Sequence, residues 1–355
     1  MAGRGDHDLR RQGHRGQPLG GVRAVSRIRA FLRLVVIEHS VFALPFAYLS
    51  ALTAMWLWAE DGGNRFGASV STDCPDGAIC GSAASTTEGG WFAYAPAGTG
   101  GLAWIQWDVL ILVTVAMVAG RTFAMAANRI IDRHIDAGNP RTANRELVTG
   151  AVSVRTAYVG SAVSLVVFFG AAALLNPLCL ALSPLAVAPM ILYPYGKRFT
   201  NFPHAILALA QAVAPVGAWL AVTGTFAGAW PAIILGVAVG LWIGGFDLIY
   251  ACQDVAADRA NEVMSFPARF GIAASLHTSS VVHVVTFAGF VGFGLLTGFG
   301  WLAWIGLAIT AVTFIYEHAI VSPTDLSKVN RSFFMANGIV GIVLFVFTLA
   351  DLLVR

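Results

Sequence analysis

Polar and apolar positions alternate along this chain on the scale of whole helices, not of single residues. Nine mainly apolar stretches lie at roughly 31–59, 104–131, 152–174, 178–195, 204–223, 231–252, 272–297, 299–320 and 333–353. Short polar or Gly/Pro-rich segments separate them. Inside each stretch the apolar residues run all round, without the polar face that a surface helix keeps. About 20 apolar residues in a helix cross a bilayer core, against about 9–11 in a barrel strand. Only helices and closed barrels satisfy their backbone in lipid. The lengths therefore predict an all-α polytopic membrane protein, a bundle of nine transmembrane helices. No interior tract is long enough for a second soluble domain.

Composition agrees. Hydrophobic residues make up 57% of the 355 and charged ones 12%, where a soluble domain has roughly 45–50% and about 25%. So little polar surface excludes a soluble enzyme, a disordered chain, a fibre and a nucleic-acid partner. The formal charge of +3 is small, but its placement is one-sided. Segments near 132–151, 196–203, 253–271 and 321–332 hold Arg133, Arg141, Arg145, Lys197, Arg198, Arg259, Arg269, Lys328 and Arg331. In the 60–103 segment Arg65 stands alone among five acids. The positive-inside rule then puts the N-terminus in the cytoplasm and the C-terminus outside. We expect a bacterial-type plasma (inner) membrane, a basic leader at 1–30 drawn to anionic lipid, and one membrane domain over 31–355 with an external loop at 60–103. Four cysteines make no disulfide framework; Cys74 and Cys80 could form a local staple if that loop faces an oxidising compartment.

With charges so scarce, those at span ends are informative. Asn128, Asp132 and Asp136 are spaced by four and share one side of a helix. Asp247, Tyr250, Asp254 and Asp258 are spaced three, four and four, so eleven residues make almost three whole turns and one stripe. Both stripes sit at the expected cytoplasmic ends. Converging carboxylates need positive partners. One reading is that neighbouring arginines neutralise two solvated helix ends. The other is Mg²⁺, which binds through one or two carboxylates plus substrate phosphates; two acidic clusters suit a diphosphate bridged by two such ions. Intramembrane ionisable groups favour a functional role.

Arg141, Arg145, Lys197 and Arg198 supply the complementary cations for phosphate oxygens. Tyr195 and Tyr250 can turn a ring face to a cation or belong to the interfacial aromatic belt. Glu38-His39, early in the first stretch, reads either as a packing pair or as a polar contact to a bound acceptor. His277 and His283 carry no ligand spacing and read as packing or headgroup residues.

These motifs resemble the UbiA superfamily of intramembrane aromatic prenyltransferases. Asn128, Asp132 and Asp136 match most of its first signature, with Arg129 where an acid is usual. That signature continues into Arg141-Thr-Ala-Asn-Arg145-Glu-Leu-Val-Thr-Gly150. Asp247, Tyr250, Asp254 and Asp258 match the second signature, and Tyr193-Pro-Tyr-Gly-Lys-Arg-Phe-Thr-Asn-Phe-Pro203 a third segment. Arg129 is similar to the futalosine-route menaquinone branch, with 4-hydroxybenzoate polyprenyltransferases close by. The resemblance implies Mg²⁺ held by Asn128, Asp132, Asp136, Asp254 and Asp258, and a polyprenyl diphosphate gripped by Arg141, Arg145, Lys197 and Arg198. It implies transfer of the prenyl group to a ring carbon of an aromatic acid, 4-hydroxybenzoate or a naphthoate, in ubiquinone or menaquinone biosynthesis. Tyr250 would stabilise the allylic cation, Asp247 would orient the acceptor, and the tail would reach into membrane lipid. Protohaem and chlorophyll prenylation are alternatives within the family. An ion-coupled secondary transporter is the alternative outside it, although the half-to-half repeat typical of that class is not seen.

Overall fold

The computed structural model describes residues 43–61, 102–332 and 337–355. Glu38, His39, the leader, Cys74, Cys80 and most of the 60–103 segment lie outside them. The described chain is helical, with nine long helices: α1 (Leu44–Asp61), α2 (Trp107–Ala137), α3 (Val154–Leu175), α4 (Pro177–Gly196), α5 (Pro203–Thr223), α6 (Trp230–Ala251), α7 (Ile272–Thr297), α8 (Trp301–Ala319) and α9 (Asn337–Val354). Among the described residues eight, α2 to α9, are long and apolar enough to cross a membrane. α1 is the described part of the stretch 31–59.

Hydropathy marks where lipid ends, not where a helix ends. α2 therefore runs six residues past the apolar limit at 131, carrying Asp132 and Asp136 with it, until the Gly138 N–H donates to Ile135 O at 3.1 Å. Other ends follow from caps. Ser153 accepts from Thr156 N at 3.1 Å to start α3. Asn176 accepts from Cys179 N at 2.8 Å to start α4, and its amide donates to Leu220 O at 2.9 Å. One side chain thus begins α4 and ties down the end of α5, which Gly224 closes in the left-handed region at φ 63°.

α6 is the axis of the bundle. Its membrane segment is 72% buried, against 17% for the peripheral α3. Trp242 on α6 is fully buried with Phe46 of α1 and Phe290 of α7; the Phe46 and Trp242 rings are 5.0 Å apart. On another face of α6, Gly236 and Gly240 let its backbone lie against α5. A Cβ at either would collide with the carbonyl oxygens of Ala212 or Ala208. Small residues permit this approach between membrane helices, and it brings the first turn of α5 alongside the end of α6.

The loops after α2, α4 and α6 meet at one end of the bundle. Met264 N donates to Lys197 O at 2.9 Å, and Asn261 donates to Gly138 O at 3.1 Å. At the opposite end Arg355 lies 4.2 Å over the Trp56 ring and donates to Gly298 O at 2.6 Å.

Candidate active site

The end where those loops meet carries both acidic motifs. Asp132, fully buried on α2, accepts from Lys197 Nζ at 2.6 Å and from Arg198 Nη1 at 3.3 Å. Asp136, one turn on and also buried, accepts from Arg145 Nη1 at 2.5 Å. Arg198 is fixed further by donating to Ile131 O at 2.7 Å. Its guanidinium lies 5.4 Å over the ring of the exposed Tyr195, while Lys197 lies 5.8 Å over Tyr193. Tyr193, not Tyr195, faces the cavity described below.

The second motif departs from one continuous stripe. α6 ends at Ala251, a tight 3₁₀ turn spans Cys252–Asp254, and a short helix covers Val255–Ala260. Partners from elsewhere hold that turn. Arg141 grips Asp254 with a fork, Nε to Oδ1 at 2.8 Å and Nη2 to Oδ2 at 2.5 Å, and Asn139 donates to Oδ1 at 2.9 Å. Here tertiary pairing overrides the helical period, as tight turns at functional sites often show. Burial works against the charge on Arg141, but the Asp254 carboxylate outweighs it and raises the guanidinium above its ordinary pKa. The same guanidinium lies 5.1 Å over the Tyr250 ring. Asp258 accepts from Ser265 Oγ at 2.7 Å. Asp247, deeper on α6, lies 2.6 Å from His204 Nδ1.

Below this charged end opens a cavity of about 710 Å³, walled mainly by α2, α4, α5 and α6. Its lining is mostly apolar, including Met117, Phe168, Leu182 and Phe246. Asn128, Asp247 and Tyr250 face it from the charged end, and so does Arg121, two helical turns deeper than Asn128. The Arg121 Nε and the Asn128 Oδ1 are both buried without a hydrogen-bond partner.

Sequence reasoning thus named the acids and bases that the fold brings together, but missed Asn139, Ser265, His204 and Arg121. Arg121 had a readable signal, a lone charge inside an apolar stretch. Asn139 and His204 act through partners on distant segments, and Ser265 through a loop that folds back on Asp258 seven residues earlier. Glu38 lies outside the described residues.

The oxygen donors suit a hard divalent cation. Asn128 offers a buried acceptor with no partner, Asp132 and Asp136 are carboxylates on α2, and Asp254 and Asp258 are carboxylates on the 3₁₀ turn and the short helix that follow α6. Three of these four carboxylates are engaged by bases, and among the described residues no three acidic, His or Cys side chains form a ready metal cluster.

A membrane bundle with paired cations beside a mostly apolar cavity can take an amphipathic molecule with an anionic head. The family model described as the UbiA prenyltransferase family matches residues 89–338, and the chain belongs to that family. It is a prenyltransferase, an enzyme that transfers alkyl groups other than methyl. A 4-hydroxybenzoate octaprenyltransferase of Alkalilimnicola ehrlichii is 33% identical over 66% of this chain and 79% of its own length. The apo structure of a UbiA homologue from Aeropyrum pernix K1 superposes with a TM-score of 0.70 at 31% identity, covering 89% of this chain and 98% of that one. A UbiA homologue from Archaeoglobus fulgidus bound to GPP and Mg²⁺ shares the fold, with a TM-score of 0.56 at 18% identity over 92% of this chain and 100% of that one.

Proposed function

We propose that this enzyme transfers a polyprenyl group from its diphosphate to a ring carbon of 4-hydroxybenzoate in ubiquinone biosynthesis. The observation that carries the reading is the order of groups along one cavity. Paired cations and carboxylates adjoin its charged end through Tyr250 and Tyr193, Asp247 and Arg121 line it, and apolar walls surround them. The names of the curated relatives support the acceptor, and the ligands of the Archaeoglobus fulgidus homologue support a prenyl diphosphate with Mg²⁺.

Asn128, Asp132, Asp136, Asp254 and Asp258 would hold Mg²⁺, whose charge would stabilise the departing diphosphate. Arg141, Arg145, Lys197 and Arg198 exchange their carboxylate partners for phosphate oxygens, a trade between two anions that leaves no cation unpaired. The Tyr250 ring faces the carbon that becomes positive as the allylic C–O bond breaks. Arg121 receives the acceptor carboxylate, and Asp247 accepts a hydrogen bond from its hydroxyl. The prenyl tail follows the apolar wall towards lipid. The charged end faces the cytoplasm of a bacterial-type inner membrane, because Arg and Lys concentrate there, and residues 31–355 act as one domain.

The test supplies the enzyme in lipid with a polyprenyl diphosphate, Mg²⁺, and a panel of hydroxybenzoates and hydroxynaphthoates. A C-prenylated 4-hydroxybenzoate that disappears on chelation is the expected product. A preference for a hydroxynaphthoate would move the acceptor. The absence of any prenylated acid would overturn the reading.

A further inference from the structure

We propose that His204 is the positioning residue for Asp247, fixing which carboxylate oxygen meets the hydroxyl of the aromatic acceptor. The proposal rests on the functional reading above and adds a residue to it. His204 stands in the first turn of α5 with its side chain 9% exposed. Its Nδ1 lies 2.6 Å from Asp247 Oδ2, and facing a carboxylate it is Nδ1 that carries the hydrogen. The other ring nitrogen, Nε2, is buried with no partner. The imidazole is therefore committed to one interaction.

The backbone explains why that interaction is so close. Gly244, one turn before Asp247 on α6, faces α5, where an added Cβ would come within 3.3 Å of His204 O and 3.2 Å of Ala208 Cβ. The glycines at 236, 240 and 244 bring α6 against α5 and leave the histidine to span the remaining gap. Asp247 lines the cavity, and His204 engages only Oδ2. Oδ1 is left to accept from a ligand. A carboxylate held through one oxygen presents the other in a fixed direction, and such preorganisation is what a hydroxyl acceptor site needs.

The geometry of the imidazole selects the test. An asparagine amide nitrogen sits where Nδ1 does, so His204→Asn keeps the donor to Asp247, whereas His204→Ala removes it. With the full-length enzyme in lipid, His204→Ala should raise the apparent KM for 4-hydroxybenzoate about ten-fold, the effect of one hydrogen bond near a charge. The KM for the prenyl diphosphate should not move. His204→Asn should recover most of the loss. Benzoate, which has the carboxylate but no hydroxyl, should inhibit wild type and His204→Ala with the same constant. The proposal fails alone if wild type prenylates normally and any of three results appears: an unchanged acceptor KM in His204→Ala, an equal rise in donor KM, or an asparagine variant no better than alanine. Weakened benzoate inhibition would make the residue a general packing element and overturn it as well. A wild type that prenylates no aromatic acid would overturn the functional reading, and this inference with it.

Discussion

Two polar clusters flank α6, and they are put together differently. The site cluster pairs Asp132, Asp136 and Asp254 with bases from other segments beside a cavity. The second lies where α6, α7 and α8 meet. His283 Nδ1 is 2.9 Å from His318 Nε2, its Nε2 is 3.1 Å from Trp242 O, and His318 Nδ1 is 3.1 Å from Ser280 Oγ. The fully buried Glu317 accepts from Ser332 Oγ at 3.4 Å. His283 also stacks on Phe314, with ring centroids 4.9 Å apart, in space that Gly245 leaves open. Buried ionisable groups alone therefore do not mark a membrane active site. What separates the clusters is the kind of partner. Guanidinium and ammonium groups held by carboxylates at 2.5–3.3 Å can be handed to a phosphate, whereas the imidazoles are held by each other, a carbonyl and a hydroxyl, with the Glu317 carboxylate no closer than 3.6 Å to His283 Nδ1, and they join helices.

The largest effects that test this contrast belong to Asp132→Ala and Asp254→Ala. Each should lower kcat/KM by about 10²-fold or more, as removal of a group acting on developing charge does. The pairings add a stability effect. Without Asp132, Lys197 and Arg198 lose a counter-charge that is fully buried, so the variant without substrate should melt lower, by on the order of 1–3 kcal/mol. Turnover assays and thermal melts in detergent would check both. Near-normal turnover in either variant would remove the site cluster's claim to chemistry.

A smaller effect should separate the two ends of the substrate. Arg121→Ala should raise the acceptor KM about ten-fold, the loss of a charged contact of about 1.5–3 kcal/mol, and leave the donor KM near wild type. Lys197→Ala should do the converse. Varying each substrate in turn decides it. If both variants weaken the donor alone, Arg121 belongs to the diphosphate, and the order of groups along the cavity is wrong.

Much of this architecture could be read from the residues. Lipid demands long apolar stretches, so the spans were legible to within a few positions wherever they are described. The second span was the instructive exception, because Asp132 and Asp136 lie beyond the apolar limit yet inside α2. The acids stood out because carboxylates at helical spacing are rare in such a chain. What could not be read was pairing at a distance. Asn139 reaches Asp254 and His204 reaches Asp247 only once loops and helices have assembled. The 3₁₀ turn at Cys252–Asp254 was hidden for the same reason, since the residues that hold Asp254 lie more than a hundred positions earlier.

The smallest expected effect on turnover belongs to the second cluster. His283→Ala removes a buried ring from between α6, α7 and α8, leaving His318 Nε2 without its partner and Phe314 without its stacking surface. Its cost falls on stability, on the order of 1–3 kcal/mol for the stranded His318 nitrogen with a packing loss added, so the melting temperature should drop by several degrees. Neither substrate's KM depends on these groups, so both should stay within about two-fold of wild type, a change worth under half a kcal/mol. Steady-state kinetics below the lowered melting temperature, run beside a thermal melt, reads both quantities on one preparation. A variant that melts like wild type but no longer turns over would show that the second cluster serves the chemistry, and the contrast between exchangeable and fixed partners would fall.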